Sequence, residues 1–321
     1  MALNEPFEQW RSVVALAGGV GGAKFADGLA RCLPAERLTV IVNTGDDFRH
    51  YGLAISPDLD TVMYTLGGVA NVVNGWGLDG DSAQMLGMMK RYGDDAWFGL
   101  GDKDVATHLL RTQWLAQGVT LTEVTRRLAS ALGIQARLLP MSDDPAPTLI
   151  NTVEQGLLAF QEYFVHQRWQ PTLQAHPAPI VYPNNVRATS QVLDALQHAD
   201  LIILCPSNPM LSIDPILNLP AVRDAISQRR VPCIAISPLI GGQAVKGPAA
   251  KIMAELGLEV SANGIAQYYG NLIDGIVIDT VDQRTSNSKQ TLATDILMRT
   301  VDDRARLARE VLQWITQSAN P

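Results

Sequence analysis

The feature that most restricts the fold is Leu16-Ala17-Gly18-Gly19-Val20-Gly21-Gly22-Ala23-Lys24, where the apolar run from Val13 to Ala17 passes into four glycines. A helix-like segment follows from Ala23 to Cys32. That order predicts a buried strand, a tight turn and a helix whose N-terminus points into the space above the strand. Such a terminus offers unpaired N–H groups and the positive end of the helix dipole, which suits a phosphate. Glycine is expected there because a Cβ would hold a ligand away from the backbone. Two standard patterns do not match. A P-loop needs Gly-Lys followed by Ser or Thr, and this turn has Ala23-Lys24-Phe25. The dinucleotide fingerprint finds its first two glycines at Gly19 and Gly21 and meets Lys24 in place of the third. A plain strand-to-helix turn without a ligand competes with the phosphate reading. Four glycines with a lysine directly behind them favour phosphate, without saying which.

The 321 residues can bury a sizeable core in one or two domains, and 47% hydrophobic with 18% charged residues is an ordinary globular balance. A net charge of −7 with no basic stripe argues against nucleic acid as a partner. An acidic chain that binds phosphates needs a cation to mediate, which points toward a metal. Cys32, Cys205 and Cys233 are far apart in apolar contexts, so reduced, buried thiols are expected. Met1 to Trp10 has no apolar core of a signal peptide, and no apolar run approaches a membrane span. A cytoplasmic location is the expectation.

Beyond the glycine turn, Leu38–Val42 reads as a second strand ending in Asn43-Thr44-Gly45-Asp46-Asp47. Ile55 to Thr61 carries Pro57 and leads into a helix that Asp60 or Thr61 is placed to cap. Residues 67–80 read as a mobile Gly/Asn-rich loop holding Trp76, and 82–92, 104–117 and 120–132 read as helices. The stretch 149–176 has no clear pattern and reads as an excursion. Strands return at 199–204, 231–236 and 275–279, and 302–316 is a closing amphipathic helix. This alternation predicts one α/β domain over 1–321, with a doubly wound, mostly parallel Rossmann-like sheet and a mainly helical insertion around 67–176.

The informative loops all follow strands, where open α/β sheets bind their ligands. Asp47 and Asp60 form a candidate Mg²⁺ pair, since that ion takes one or two carboxylates plus waters and phosphates. Singly, each is as readily a cap or an Asx-turn as a ligand; their placement at neighbouring loops favours metal. Asp58 is two residues from Asp60 and is expected to point elsewhere. Asp102 and Asp104 read as caps, His108 as a core or site-wall histidine, and Trp76 as stacking or packing. Lys90 and Arg91 suit either a phosphate or the end of a helix dipole. Ser207-Asn208-Pro209 offers groups for a nucleobase edge or a phosphate oxygen, against the bland reading of an ordered turn. Gly241-Gly242 with Lys246-Gly247-Pro248 makes a second glycine-lysine loop, and two such loops suit two linked phosphates.

These segments resemble, in order, those of the 2-phospho-L-lactate transferase (CofD-like) family of coenzyme F420 biosynthesis. The matching residues are Val14–Lys24, Asn43–Asp47, Ser56–Thr61, Ala106-Thr107-His108, Met141–Pro145, Pro206–Pro209 and Ser237–Ala249, spanning residues 12 to 280. The resemblance implies transfer of a phospho-three-carbon-acid unit from a guanosine diphospho-linked donor to the hydroxyl of the deazaflavin Fo, with release of GMP. It places Mg²⁺ at Asp47 and Asp60, with Asp46 and Asp47 competing for the ion, and the diphosphate against Gly18, Gly19, Gly21, Gly22 and Lys24. Guanosine falls near Ser207, Asn208 and Pro209, and Fo along the Asp47 side with Lys90 or Arg91 as a further contact; Asn43 and Asp46 are further substrate-binding candidates. Gly241, Lys246 and Gly247 serve as further phosphate contacts, and a homodimer is implied. The competing reading is a non-catalytic nucleotide-sugar-binding regulator with a similar first loop. A nicotinamide dehydrogenase is disfavoured by Lys24 in the third glycine's place.

Overall fold

The computed structural model describes residues 7–176, 178–285 and 290–319. The N-terminal stretch weighed as a leader therefore lies largely outside the described residues.

Runs of apolar and β-branched residues make the seven strands of the central sheet. They are β1 (Val13–Ala17), β2 (Leu38–Val42), β3 (Arg137–Pro140), β4 (Leu201–Leu204), β5 (Cys233–Ile236), β6 (Gly275–Asp279) and β7 (Gln290–Thr294). All pair in parallel, in the spatial order β7-β6-β5-β4-β1-β2-β3. The chain builds outward from β1 to β3, then returns to place β4 on the other side of β1. The carboxyl ends of β1 and β4 thus diverge into a crevice, the usual ligand position in an open α/β sheet.

Strand β1 is buried on both faces and divides the core. Val13, Ala15 and Ala17 join one cluster with Phe25, Leu29, Val62 and Val311, while Val14 and Leu16 join another with Val192, Ile213, Ile252 and Ile265. Five helices precede β3: α1 (Gly19–Cys32), α2 (Pro57–Leu66), α3 (Gln84–Arg91), α4 (Asp104–Ala116) and α5 (Leu121–Ala131). The Thr120 hydroxyl accepts from the Glu123 N–H and fixes the start of α5. The C-terminal helix, Val301–Ala319, lies along α1 at a distance only glycine permits. A Cβ on Gly28 would stand 2.2 Å from the Arg304 carbonyl oxygen.

The structure alters the sequence reading in four places. Helix α1 begins at Gly19, so three of the four glycines lie inside its first turn. The stretch 67–176 is helical between Gln84 and Ala131 and again over a short π-helical turn at Glu162–His166. Its remainder supplies β3 to the central sheet and two strands, Leu149–Thr152 and Gly156–Ala159, to a separate antiparallel sheet with Ile180–Val181. Short strands lacking strict alternation hide this from a periodicity test. Loop 67–80 is tied down: the Asn71 and Asp79 N–H groups bond the Gly77 and Val69 carbonyls, and Trp76 lies over Gly99. Asp102 caps α3, through the Gln84 and Met85 N–H groups, and Asp104 is buried against Tyr64 and His108.

Candidate active site

The glycine turn is shaped by the protein itself. A Cβ on Gly21 would lie 2.2 Å from the Pro206 carbonyl oxygen, and one on Gly22 2.4 Å from Ser207 Oγ. One on Gly18 would meet Asp58 Oδ2 at 2.4 Å and Ser212 Cβ at 2.7 Å. Gly19 adopts φ +61, a left-handed conformation that disfavours a side chain. These glycines let α1 close onto the loop after β4, which corrects the reading that they merely clear space for a ligand. Ser207 completes the clasp: its hydroxyl donates to the Gly18 carbonyl (2.7 Å) and accepts from the Gly18 N–H (3.3 Å).

The loop after β2 gathers the carboxylates. Asn43 is buried and holds this corner together. Its Oδ1 accepts from the Gly45 N–H (2.7 Å), and its Nδ2 donates to Asp58 Oδ2 (2.9 Å) and the Leu211 carbonyl (3.3 Å). Asp46 Oδ2 accepts from the Asp58 N–H (3.0 Å) and from Gln161 Nε2 (3.3 Å). Asp47 Oδ2 accepts from Ser56 Oγ (2.8 Å), while its buried Oδ1 has no partner among the described residues.

Asp58 and Asp60, two positions apart on α2, face different ways, as helical spacing requires. Asp58 turns to the glycine turn and accepts from the Gly19 N–H and Ser212 hydroxyl. Asp60 lies past the first residues of α2 and is not its cap. Both of its oxygens accept from the Arg111 guanidinium, at 3.0 Å for the Nη1–Oδ2 bond.

On the other wall, Asn208 Oδ1 accepts from the Met210 and Leu211 N–H groups (3.1 and 3.2 Å). Pro209 opens the irregular turn Pro209–Ile213. The Asn208 Nδ2 is buried without a partner among the described residues, as are Thr44 Oγ1 and Thr148 Oγ1. Together with Asp47 Oδ1 these orphaned polar atoms lie on loops at the carboxyl end of the sheet. Buried polar groups are ordinarily paired, so each of these atoms is available to a polar ligand in the crevice.

The two loop lysines are engaged elsewhere. Lys24 Nζ donates to the Met298 carbonyl (2.9 Å) on the far flank of α1, and Lys246 Nζ donates to the Asn74 carbonyl (2.6 Å). The second bond joins the 241–249 loop to loop 67–80 beside Val20. Gly241 and Gly247 have φ +56 and +77, as their turns require. Lys90 and Arg91 are exposed at the end of α3. The structure therefore brings Gly18, Gly19, Gly21, Gly22, Asn43, Asp46, Asp47, Asp60, Ser207, Asn208 and Pro209 to one crevice. A cavity of 570 Å³ lies instead at the amino ends of β5 to β7, lined by Arg229, Asp274, Gln290 and Trp314. Ser212, Gln161 and Arg111 also belong to the crevice and carry no motif that would single them out, whereas Asp58, inside the Ser56–Thr61 motif, faces the glycine turn.

Burial dominates the electrostatics here. It pushes the Asp46 and Asp47 carboxyls well above the carboxylate range, with neighbouring carboxylates adding to the effect. For Asp47, the Ser56 hydrogen bond and the Arg111 charge oppose it. Burial raises Asp58 to about 6, against its bonds to Asn43, Gly19 and Ser212. A raised carboxyl pKa means the folded state binds the proton more tightly than the unfolded chain. Its stabilising effect is complete at low pH and is lost as pH climbs through about 6. The metal- and ligand-free protein is thus expected to have a higher thermal midpoint at pH 5 than at pH 7. Asp58→Asn should flatten that difference by about 1 kcal/mol, the share of the shift that falls between pH 5 and 7. A scanning calorimetry series in which the variant keeps the full wild-type slope would refute the assignment to Asp58.

A doubly wound α/β fold with a carboxylate-lined crevice at its topological switch point places this chain among the open α/β proteins that bind their ligands there. The chain matches the family described as 2-phospho-L-lactate transferase CofD over residues 13–318, and it belongs to that family. It is 43% identical over 316 residues to a phosphoenolpyruvate transferase of Kitasatospora aureofaciens, covering 95% of this chain and 98% of the relative. It is 37% identical over 306 residues to a 2-phospho-L-lactate transferase of Methanosarcina mazei, covering 94% and 99%. Among solved structures, a upf0052-family protein of Bacillus halodurans superposes with a TM-score of 0.63 at 14% identity, covering 94% of this chain and 98% of that one. That likeness concerns the fold. No helix among the described residues is long and apolar enough to cross a membrane.

Proposed function

We propose that this chain transfers a phospho-three-carbon-acid unit from a guanosine diphospho-linked donor to the ribityl hydroxyl of the deazaflavin Fo, in coenzyme F420 biosynthesis. The observation that carries the proposal is Asp47 Oδ1, a buried carboxylate oxygen without a partner among the described residues, on the loop after β2 at the switch-point crevice. Support also comes from transferase relatives, 37–43% identical, whose lengths are matched almost completely. The nucleotide-sugar regulator reading lacks such support.

The donor set fits Mg²⁺. No cluster of three or more His, Cys, Asp or Glu among the described residues forms a cage of its own. Mg²⁺ does not need one, because one or two carboxylates and the substrate's phosphates suffice. Asp47 offers its free Oδ1, and Asp60 is the second carboxylate, each of its oxygens keeping a lone pair beyond the Arg111 bond. When bound, the ion would neutralise phosphate charge and polarise the phosphorus under attack.

The chain's own residues contribute position and charge placement, which phosphoryl-type transfer needs more than a strong base. The N-terminus of α1 faces the crevice with its dipole. The Asn208 amide supplies an uncommitted donor for a nucleotide or phosphate oxygen. The Fo hydroxyl forms the new bond to the phosphorus carrying the three-carbon unit. The bond to the guanosine phosphate breaks, and GMP leaves with its electron pair.

The test is incubation with Fo, Mg²⁺ and guanylated phospholactate, phosphoenolpyruvate and phosphoglycerate in competition. GMP release is followed by chromatography and the product by mass. Coupled GMP and F420-type product are expected, and the product mass identifies the preferred donor. Absence of GMP release from all three refutes the transfer reading, and undiminished turnover in EDTA refutes the metal.

A further inference from the structure

Beneath the carboxylate corner lies a buried polar chain that the transfer reaction as described does not use. Arg111, from α4, is 1% exposed at its side chain and clasps both oxygens of Asp60. Its Nη1 also stands 3.2 Å from His108 Nδ1, and 3.4 Å from the Ala54 carbonyl. A guanidinium can only donate, so His108 Nδ1 must accept and the neutral ring carries its proton on Nε2. That Nε2 lies 3.3 Å from Asp104 Oδ2, whose other oxygen accepts from the Tyr64 hydroxyl at 2.5 Å. Tyr64 donates to Asp104 and Arg111 donates to His108 and Asp60, while His108 Nε2 faces Asp104 as an ion-pair contact without a formed hydrogen bond among the described residues.

Two arguments make this more than a structural ion pair. Buried pairs contribute little net stability, because desolvation offsets their attraction, so apolar residues would have served the fold as well. The pair also sits where the chain concentrates negative charge. Asp46, Asp58 and Asp60 are buried beside the half-buried Asp47, and Arg111 is the cation that bears on both Asp60 and Asp47. Its two-pronged grip fixes the plane of the Asp60 carboxylate, which a lysine cannot do with a single ammonium.

We infer that Arg111 is a positioning residue of the transfer reaction, orienting the Asp60 carboxylate beside Asp47, with His108 and Asp104 bracing the guanidinium. This rests on the transfer reading above. Wild-type protein that releases no GMP would defeat that reading, whereas active wild type with an unimpaired Arg111→Lys variant would defeat this inference alone.

The experiment compares Arg111→Lys, Asp60→Asn and the double variant. Arg111→Lys is expected to lower kcat at least 20-fold while the KM for Fo stays within threefold. The double variant should lose no more than Asp60→Asn does, because Arg111 acts through Asp60. A readout without turnover is Mn²⁺ binding to the ligand-free protein by electron paramagnetic resonance, expected to weaken at least fivefold in Arg111→Lys. A kcat or a Mn²⁺ affinity within threefold of wild type overturns the inference, as do losses that multiply in the double variant. If Arg111→Lys does not fold, His108→Asn decides: a kcat loss of about tenfold at unchanged KM supports the brace, and an unchanged kcat overturns it.

Discussion

Asp47→Asn is expected to reduce GMP release by about 10³-fold or more while leaving the protein folded and slightly more stable. The two effects come from the same atom. Asp47 Oδ1 is buried without a partner, and burial pushes this carboxyl well above the carboxylate range. A charge on Asp47 is thus desolvated in the ligand-free fold, and the Ser56 hydrogen bond and the Arg111 charge offset only part of that cost. Asparagine keeps an oxygen for the Ser56 hydroxyl and removes the charge. The thermal midpoint of the metal-free variant at pH 7 should accordingly rise by about 2–5 °C. Calorimetry and GMP release on the same preparations measure both. A variant keeping a tenth of wild-type kcat would move the essential carboxylate elsewhere, and a lowered midpoint would show that Asp47 is a structural acceptor.

Gly21→Ala is the second large effect. The added Cβ would stand 2.2 Å from the Pro206 carbonyl oxygen, a backbone atom that cannot rotate aside. Helix α1 and the loop after β4 must then separate by about an ångström, enough to cost roughly 10²-fold in a positioned reaction. The overpacking itself should cost about 3 kcal/mol. Gly28→Ala is the control, because its Cβ meets the Arg304 carbonyl at the same 2.2 Å but on the C-terminal helix, away from the crevice. Both variants should unfold at lower denaturant concentration. Only Gly21→Ala should lose turnover per folded molecule. Equal specific activity in the two variants would mean that the clasp between α1 and Ser207 is a packing feature without bearing on the reaction.

Much of the architecture is legible because the signals are local. The strand, turn and helix around Gly18 follow from five apolar residues meeting glycine, and the Thr120 cap follows from one hydroxyl three residues before Glu123. β3 and the small sheet around Leu149–Thr152 escape a linear reading because short strands lack periodicity and owe their existence to neighbours. Arg137 to Pro140 is a strand because β2 lies beside it, not because of its own sequence. The site divides the same way. Asp47 and Asn208 are visible as polar residues closing apolar runs. Lys24 looks equally visible, yet its ammonium bonds the Met298 carbonyl, 274 positions away in sequence, which no pattern near residue 24 encodes.

The sequence by itself determined the doubly wound sheet and the transferase family, and it pointed to a candidate site at the switch point, since these depend on the order of local motifs. Only the tertiary structure decided what each motif residue is committed to. It showed that the glycines seat α1 against Pro206 and Ser207, and that Asp58 turns to the glycine turn. It also showed that Asp60 is held by Arg111 while Asp47 keeps an open oxygen. The physical reason is that a polar atom's role depends on which partners already satisfy it. In this crevice those partners come from α4, from Gln161 and from the loop after β4, far in sequence from the residues they hold.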